Sequence, residues 1–158
     1  MEELAVQQKT ELANTAKQYI VVAIDNELFG IDIMYVDNIV RMQRITRVPK
    51  CQDYFTGVIN LRGEIVPVMS LRIRFGIEEK EDDNATRIII LKPEHQTMVG
   101  IKVDQVREVV TLDDSIIEKN NMAVSENGQI FISAVGKYND ELISILNLQT
   151  VVVDKEQV

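Results

Sequence analysis

The stretch Tyr54-Phe55-Thr56-Gly57-Val58-Ile59-Asn60-Leu61-Arg62-Gly63-Glu64-Ile65-Val66-Pro67-Val68-Met69-Ser70-Leu71 decides how this 158-residue chain is read. Two apolar, β-branched runs flank Arg62-Gly63, a two-residue turn with glycine where positive φ is needed, which predicts a hairpin. Pro67 has no N–H to give to a ladder, so its strand lies at an edge or carries a bulge. Working outward, the run Tyr19–Ile24 (YIVVAI) precedes a turn at Asp25-Asn26-Glu27. Residues 28–33 then alternate, with Phe29, Ile31 and Ile33 on one side, the pattern of a half-buried strand. Val36, Ile39 and Val40 follow at spacings that fit either one helical turn or a kinked strand; their β-branched content favours the strand.

The chain repeats itself. With Gly30 set over Gly100, an offset of 70, Phe29 falls on Val99, Ile31 on Ile101, Ile33 on Val103, Val36 on Val106, Ile39 on Val109 and Val40 on Val110. The same offset puts Ile20 on Ile90 and Val21 on Leu91; further on it widens to 76, with Phe55 on Phe131 and Ile59 on Val135. At 77, Val66 matches Ile143, Val68 matches Ile145 and Leu71 matches Leu148. An internal duplication of about 60 residues follows, and repeats are settled before a fold is assigned. The expected organisation is a polar tail or frayed helix over 1–17 and a folded region over 18–152, followed by a tail over 153–158. Within the folded region a first repeat spans about 18–77, an acidic linker 78–86 and a second repeat about 87–152. About five short strands per half suit small SH3-like barrels, which remove most sheet edges by closure. Halves of this size are near the limit of independent stability, so an apolar seam between them is expected, with strands not necessarily allotted contiguously.

Composition supports an all-β reading. Apolar residues make up 46 % but aromatics only 5 %, with no Trp, so Val, Ile and Leu must build the core. The net charge of −8 is zoned: −5 over residues 1–40, +5 over 41–74 and −8 over 75–158. Such acidity disfavours nucleic acid, whose binding depends on neutralising phosphates, while the basic middle segment suits an acidic protein partner. One cysteine, Cys51, permits no internal disulfide and suits a reducing cytosol. The Met-Glu-Glu start lacks the basic and apolar regions of a signal peptide, and no apolar run approaches the ~20 residues that span a bilayer.

Reactive constellations are missing from the pattern. His95 is the single histidine, placed in a hairpin turn, and it lies 44 positions from Cys51, which builds neither a triad nor a metal site. Seven scattered glycines form no phosphate-binding loop. Asp82-Asp83 and Asp113-Asp114 sit in polar loops as solvated surface. The chain reads as a binding module without catalysis and without a cofactor.

Three stretches carry a family resemblance: Gly30-Ile31-Asp32-Ile33 with Val36 and Ile39; Gly57-Val58-Ile59-Asn60-Leu61-Arg62-Gly63 through Ile65-Val66-Pro67-Val68 to Leu71-Arg72; and Val99-Gly100-Ile101-Lys102-Val103-Asp104. Together with Leu142–Leu148 they resemble the CheW family of chemotaxis coupling proteins over about residues 18–152. The resemblance implies two intertwined SH3-like five-stranded β-barrels packed together. It also implies a cytoplasmic adaptor, monomeric alone and recruited to the inner face of the membrane in receptor arrays. There it would join the cytoplasmic tip of chemoreceptors to the regulatory domain of the histidine kinase CheA. It places Arg62 and Asn38 in receptor engagement and has Val36, Ile39, Ile101 and Val103 line an apolar groove for the receptor's helical hairpin. Gly57, Gly63 and Gly100 fall at compact turns or close approaches, and Arg41, Arg44 and Arg47 form a basic strip at the rim. Asn38 stands where many members have an acid, so Arg62 is either freer or paired with Asp32 or Asp37. Ser70 likewise replaces the family's aspartate before Leu71-Arg72. An alternative keeps the fold and serves a different sensor-kinase pathway.

Overall fold

The computed structural model describes residues 16–93, 97–113, 117–118 and 131–152. Of the tail expected over 1–17, residues 1–15 lie outside the described residues, as do the expected tail over 153–158, His95 and Asp114, whereas Lys17 already belongs to the first strand. Among the described residues there are eleven strands: β1 (Lys17–Ile24), β2 (Glu27–Asp32), β3 (Val36–Arg41), β4 (Phe55–Leu61), β5 (Glu64–Ser70), β6 (Arg87–Leu91), β7 (Val99–Val103), β8 (Gln105–Leu112), β9 (Ile117–Glu118), β10 (Ile132–Tyr138) and β11 (Glu141–Leu146). Two short helices, α1 (Leu71–Arg74) and α2 (Leu148–Val152), follow β5 and β11.

The strands form two sheets, ordered β8-β1-β2-β11-β10-β9 and β3-β6-β7-β5-β4. Each half of the sequence therefore gives its first two strands to one sheet and its later strands to the other. Position by position the two orders are the same: β3 corresponds to β8, β4 to β10, β5 to β11, β6 to β1 and β7 to β2. Even the parallel pairs correspond, β11 with β2 and β5 with β7.

Both sheets close alike. Thr46, beyond the end of β3, exchanges two backbone hydrogen bonds of 2.8 Å with Val58 on β4. β9, beyond the end of β8, pairs with β10 at Glu118 and Val135. Gly57 makes the first closure possible. Its φ is +148°, and a Cβ there would collide with the Thr46 carbonyl oxygen.

The register corrects the sequence alignment in two places. Gly30 lies opposite Val21, and Gly100 opposite Ile90, so β1 maps onto β6 with one residue less of offset than apolar matching gave. Similarly Phe55 faces Met69 where Ile132 faces Leu146, so Tyr54, not Phe55, is the counterpart of Phe131. In strands buried on both faces every position is apolar, and a one-residue slip leaves no polar residue out of place. The segment with Val36, Ile39 and Val40 is the kinked strand that its β-branched content favours, β3 with a bulge between Val36 and Asn38, entered through a 3-10 turn at Ile33–Tyr35.

Side chains alternate between three cores. Tyr19 and Val21 fill the first barrel with Val110, Leu112, Ala134, Ile143 and Ile145. Ile88 and Ile90 fill the second with Ile59, Val66 and Val68. The intervening Ile20, Val22 and Ile24 meet Ile89, Leu91, Met69 and Ile101 in a shared seam between the barrels. The acidic linker is pinned at both ends: Lys102 reaches Asp82 at 2.8 Å and Glu79 at 3.4 Å, and Thr86 is buried. Replacing Gly57 by alanine must push the residue 45–46 segment off β4 and strain φ. A loss of roughly 2–3 kcal/mol is expected, read as a lower denaturation midpoint with an unchanged β-type circular dichroism spectrum.

Candidate functional site

The hairpin tip between β4 and β5 is built by its own residues. Arg62 (φ 52°) and Gly63 (φ 84°) are both left-handed, the mirror-image turn that matches strand twist. Asn60 Oδ1 accepts the Gly63 N–H at 3.1 Å and locks it. The guanidinium of Arg62 is exposed and has no ion-pair partner among the described residues, so the freer of the two expected arrangements is the one found. Asp32 instead takes the Met34 N–H at 3.0 Å, holding the 3-10 turn.

On β3 the bulge turns Ile39 outward, 37 % exposed, while Val36 and Asn38 are half-buried. Asn38 Oδ1 accepts the Ile39 N–H at 2.8 Å. The counterparts of Asp37, Asn38, Arg62 and Glu64 in the first barrel are Arg107, Glu108, Asn139 and Glu141, and those four line one small cavity together. The duplication thus places the β3 bulge beside the Arg62 turn. Arg41, Arg44 and Arg47 are all exposed, without ion-pair partners among the described residues. The Thr46–Val58 bridge ties the segment between Arg44 and Arg47 to β4.

Two expected groove residues are elsewhere. Ile101 and Val103 are 0 % and 1 % exposed and belong to the seam core, so they support the site from behind and do not line it. Gly100 likewise serves packing, since a Cβ there would lie 2.8 Å from Ile88 Cγ2.

The sequence reading missed an ionic clamp. Arg72, 7 % exposed, donates from Nη1 to Asp104 at 2.7 Å and to Asp25 at 2.8 Å, and from Nε to the Glu78 carbonyl at 2.7 Å. The Asp25 N–H donates to Asp104 at 2.9 Å. Asp25 belongs to the β1–β2 turn of one sheet, Arg72 to the helix that follows β5 of the other, and Asp104 to the crossing from β7 to β8 between the two sheets, so the clamp spans the seam. Its signal was an arginine two residues after the Ser70 cap, in the first turn of a short apolar helix. The hydrogen bond from Arg72 holds the Asp25 carboxyl below its ordinary range. Asp83 is lowered too, chiefly by the Ala85 N–H. Neither is the raised acid that general acid catalysis requires, and no metal-holding cluster exists among the described residues.

A duplicated barrel pair, locked across its seam and presenting an apolar and basic surface, is a scaffold for protein binding. This chain belongs to the CheW-like family, whose domain model matches residues 18–156. It is 34 % identical to the chemotaxis protein CheW of Bacillus subtilis over 90 % of both chains. With that of Helicobacter pylori it shares 31 % identity over 85 % of this chain and 80 % of the relative. The crystal structure of the scaffolding protein TtCheW from Thermoanaerobacter tengcongensis superposes with a TM-score of 0.79 at 33 % identity, covering 88 % of this chain and 94 % of that one. Members of this family act as scaffolds and not as catalysts.

Removing one side of a buried ion pair strands the other charge. Arg72→Met should therefore cost about 3 kcal/mol and lower the melting temperature at neutral pH. Because the folded pKa of Asp25 is depressed, its share of stability is present above the ordinary aspartate value and is lost as pH falls through the folded one. In acid the gap between wild type and variant should narrow, as melting curves from pH 7 downward would show.

Proposed function

We propose that this chain is a chemotaxis adaptor that binds both the cytoplasmic tip of chemoreceptors and the regulatory domain of the histidine kinase CheA. The observations that carry the reading are the exposed Arg62, on a turn locked by Asn60 and without an ion-pair partner among the described residues, and the outward-turned Ile39 on β3. A fixed cation next to an apolar strand edge suits a helical partner that offers an apolar face and an acidic or carbonyl-rich flank. Val36, Asn38 and Ile39 supply the contact surface, and Ile101 and Val103 fix its backbone. Arg41, Arg44 and Arg47 at the rim tune association rate and salt dependence more than affinity. No helix among the described residues is long and apolar enough to cross a membrane. A cytoplasmic protein with this surface reaches the inner face of the membrane through its partners.

The test is reconstitution with receptor and kinase. Arg62→Ala, at an exposed turn without ion-pair partners, should leave the melting temperature within about 1 °C, as surface changes cost little. It should weaken receptor control of kinase activity about tenfold, the loss of a charge-assisted contact. Full receptor control in the variant would reduce Arg62 to a turn residue. Absence of binding to the CheA regulatory domain in calorimetry would favour a different sensor-kinase pathway.

A further inference from the structure

The ionic clamp between the barrels has a cover. After α1 the Ile77 N–H donates to the Arg72 carbonyl at 2.7 Å, and the chain then runs past the clamp as the acidic segment Glu78–Asp82. It is tied down again at Asp83, whose carboxylate takes the Ala85 N–H at 2.8 Å and whose own N–H donates to the buried Thr86 hydroxyl at 3.0 Å. Between these moorings the Glu78 carbonyl takes Arg72 Nε, and the backbone of residues 79–82 makes no hydrogen bond among the described residues. Charge holds that stretch. Lys102 Nζ lies 2.8 Å from Asp82 and 3.4 Å from Glu79, while Lys80 Nζ lies 3.7 Å from both Asp83 and Asp104. Beneath it the side chains of Lys102 and Asp104 are only 11 % and 10 % exposed.

Three features make this cover easy to lift. Glu79, Lys80 and Asp82 are all partly exposed, and ion pairs with such partners are weak and screened by salt. One oxygen of Glu79 is buried without a hydrogen-bond partner, so closure keeps it from water and opening returns water to it. The fold itself does without such a device at its other edge. There the duplication sets Gln149 in the place of Arg72 and Met34 in the place of Asp104, both uncharged and exposed.

We propose that Glu78–Asp82 is an ionic lid on the Arg72–Asp104 clamp, which salt opens as a local unit while both barrels stay folded. The proposal does not depend on the identity of any partner. With the lid open, Lys102 reaches solvent, Asp104 loses Lys80, and water enters the ionic link across the seam. Segments held by few apolar contacts open well below the free energy of global unfolding. The stiffness of the joint between the barrels is thereby tied to ionic strength, although each barrel is filled by apolar side chains whose contacts salt does not screen.

Two readouts on the full chain test it: amine acylation mapped by peptide mass spectrometry, and native-state hydrogen exchange. Both are followed from about 0.01 M to about 1 M sodium chloride, over which the Debye length falls from about 30 to about 3 Å. Acylation of Lys102 should rise about tenfold relative to the exposed Lys50 and Lys137, as its weak ion pairs are screened. The Asp25 N–H, which donates to Asp104 across the seam, should exchange faster in step, while Ile89 on β6 keeps its rate. Asp82→Asn should show at low salt the Lys102 acylation that wild type shows at high salt, with a melting temperature within about 2 °C of wild type. Lys102 acylation that ignores salt, or that rises only with denaturant in step with Ile89 exchange, would overturn the proposal. Faster Lys102 acylation with unchanged Asp25 exchange would also overturn it, since the segment would then move without guarding the clamp. So would a melting temperature for Asp82→Asn as low as that of Arg72→Met, which would make the segment part of the cooperative core.

Discussion

Everything in this molecule depends on the seam where β1 and β6 are buried on both faces. Tyr19 and Val21 point into one barrel while Ile20, Val22 and Ile24 point into the seam; Ile88 and Ile90 point into the other barrel while Ile89 and Leu91 face the same seam. A strand with two dry faces must be apolar at every position, which is why YIVVAI and IIIL are continuous runs. The seam also fixes both helices, through Leu71 on α1 and Leu148 and Val151 on α2. Aromatic rings continue it, with Phe75 stacked 5.2 Å from Phe29 and 5.4 Å from Phe131.

Charge inside the fold is used sparingly and in one direction. Of the basic residues between 41 and 74, two are structural. Arg72 bridges the barrels, and Arg74 lies between the Tyr54 and Phe131 rings while donating to the carbonyls of Thr150 and Val151 at the end of α2. The basic surface open to a partner is correspondingly smaller than the segment's net charge suggests, and it consists of Arg41, Arg44, Arg47, Lys50 and Arg62. The acidic segment 78–86 finds its own cations in Lys80 and Lys102.

Much of the fold was legible in the sequence because turn chemistry is local. Arg62-Gly63 declared its hairpin, and the paired glycines Gly30 and Gly100 the duplicated order of strands; Pro67 misled, since β5 lies inside its sheet between β7 and β4 and Pro67 pairs with Val58 without a bulge, the ladder to β7 starting only at Val68. What failed was anything that needed the second face of a strand. Ile101 and Val103 alternate like groove residues, yet both belong to the seam, since alternation tells which residues share a face and not what covers it. The clamp was hidden for a related reason: Asp25, Arg72 and Asp104 are far apart along the chain, and a charge in a short turn reads as solvated until its partners are placed.

The exchange of strands between halves also governs how the chain comes into being. When β1 and β2 leave the ribosome, the strands that flank them, β8 and β11, are still some 80 to 115 residues from synthesis. The first hairpin must therefore wait with both of its edges unpaired and both of its faces apolar, the condition in which nascent β-structure is most exposed to wrong pairing. The barrel of β3 to β7 can complete itself first. Its partner closes only when the last strands arrive, making the final third of the chain the step that commits the whole molecule to its native state.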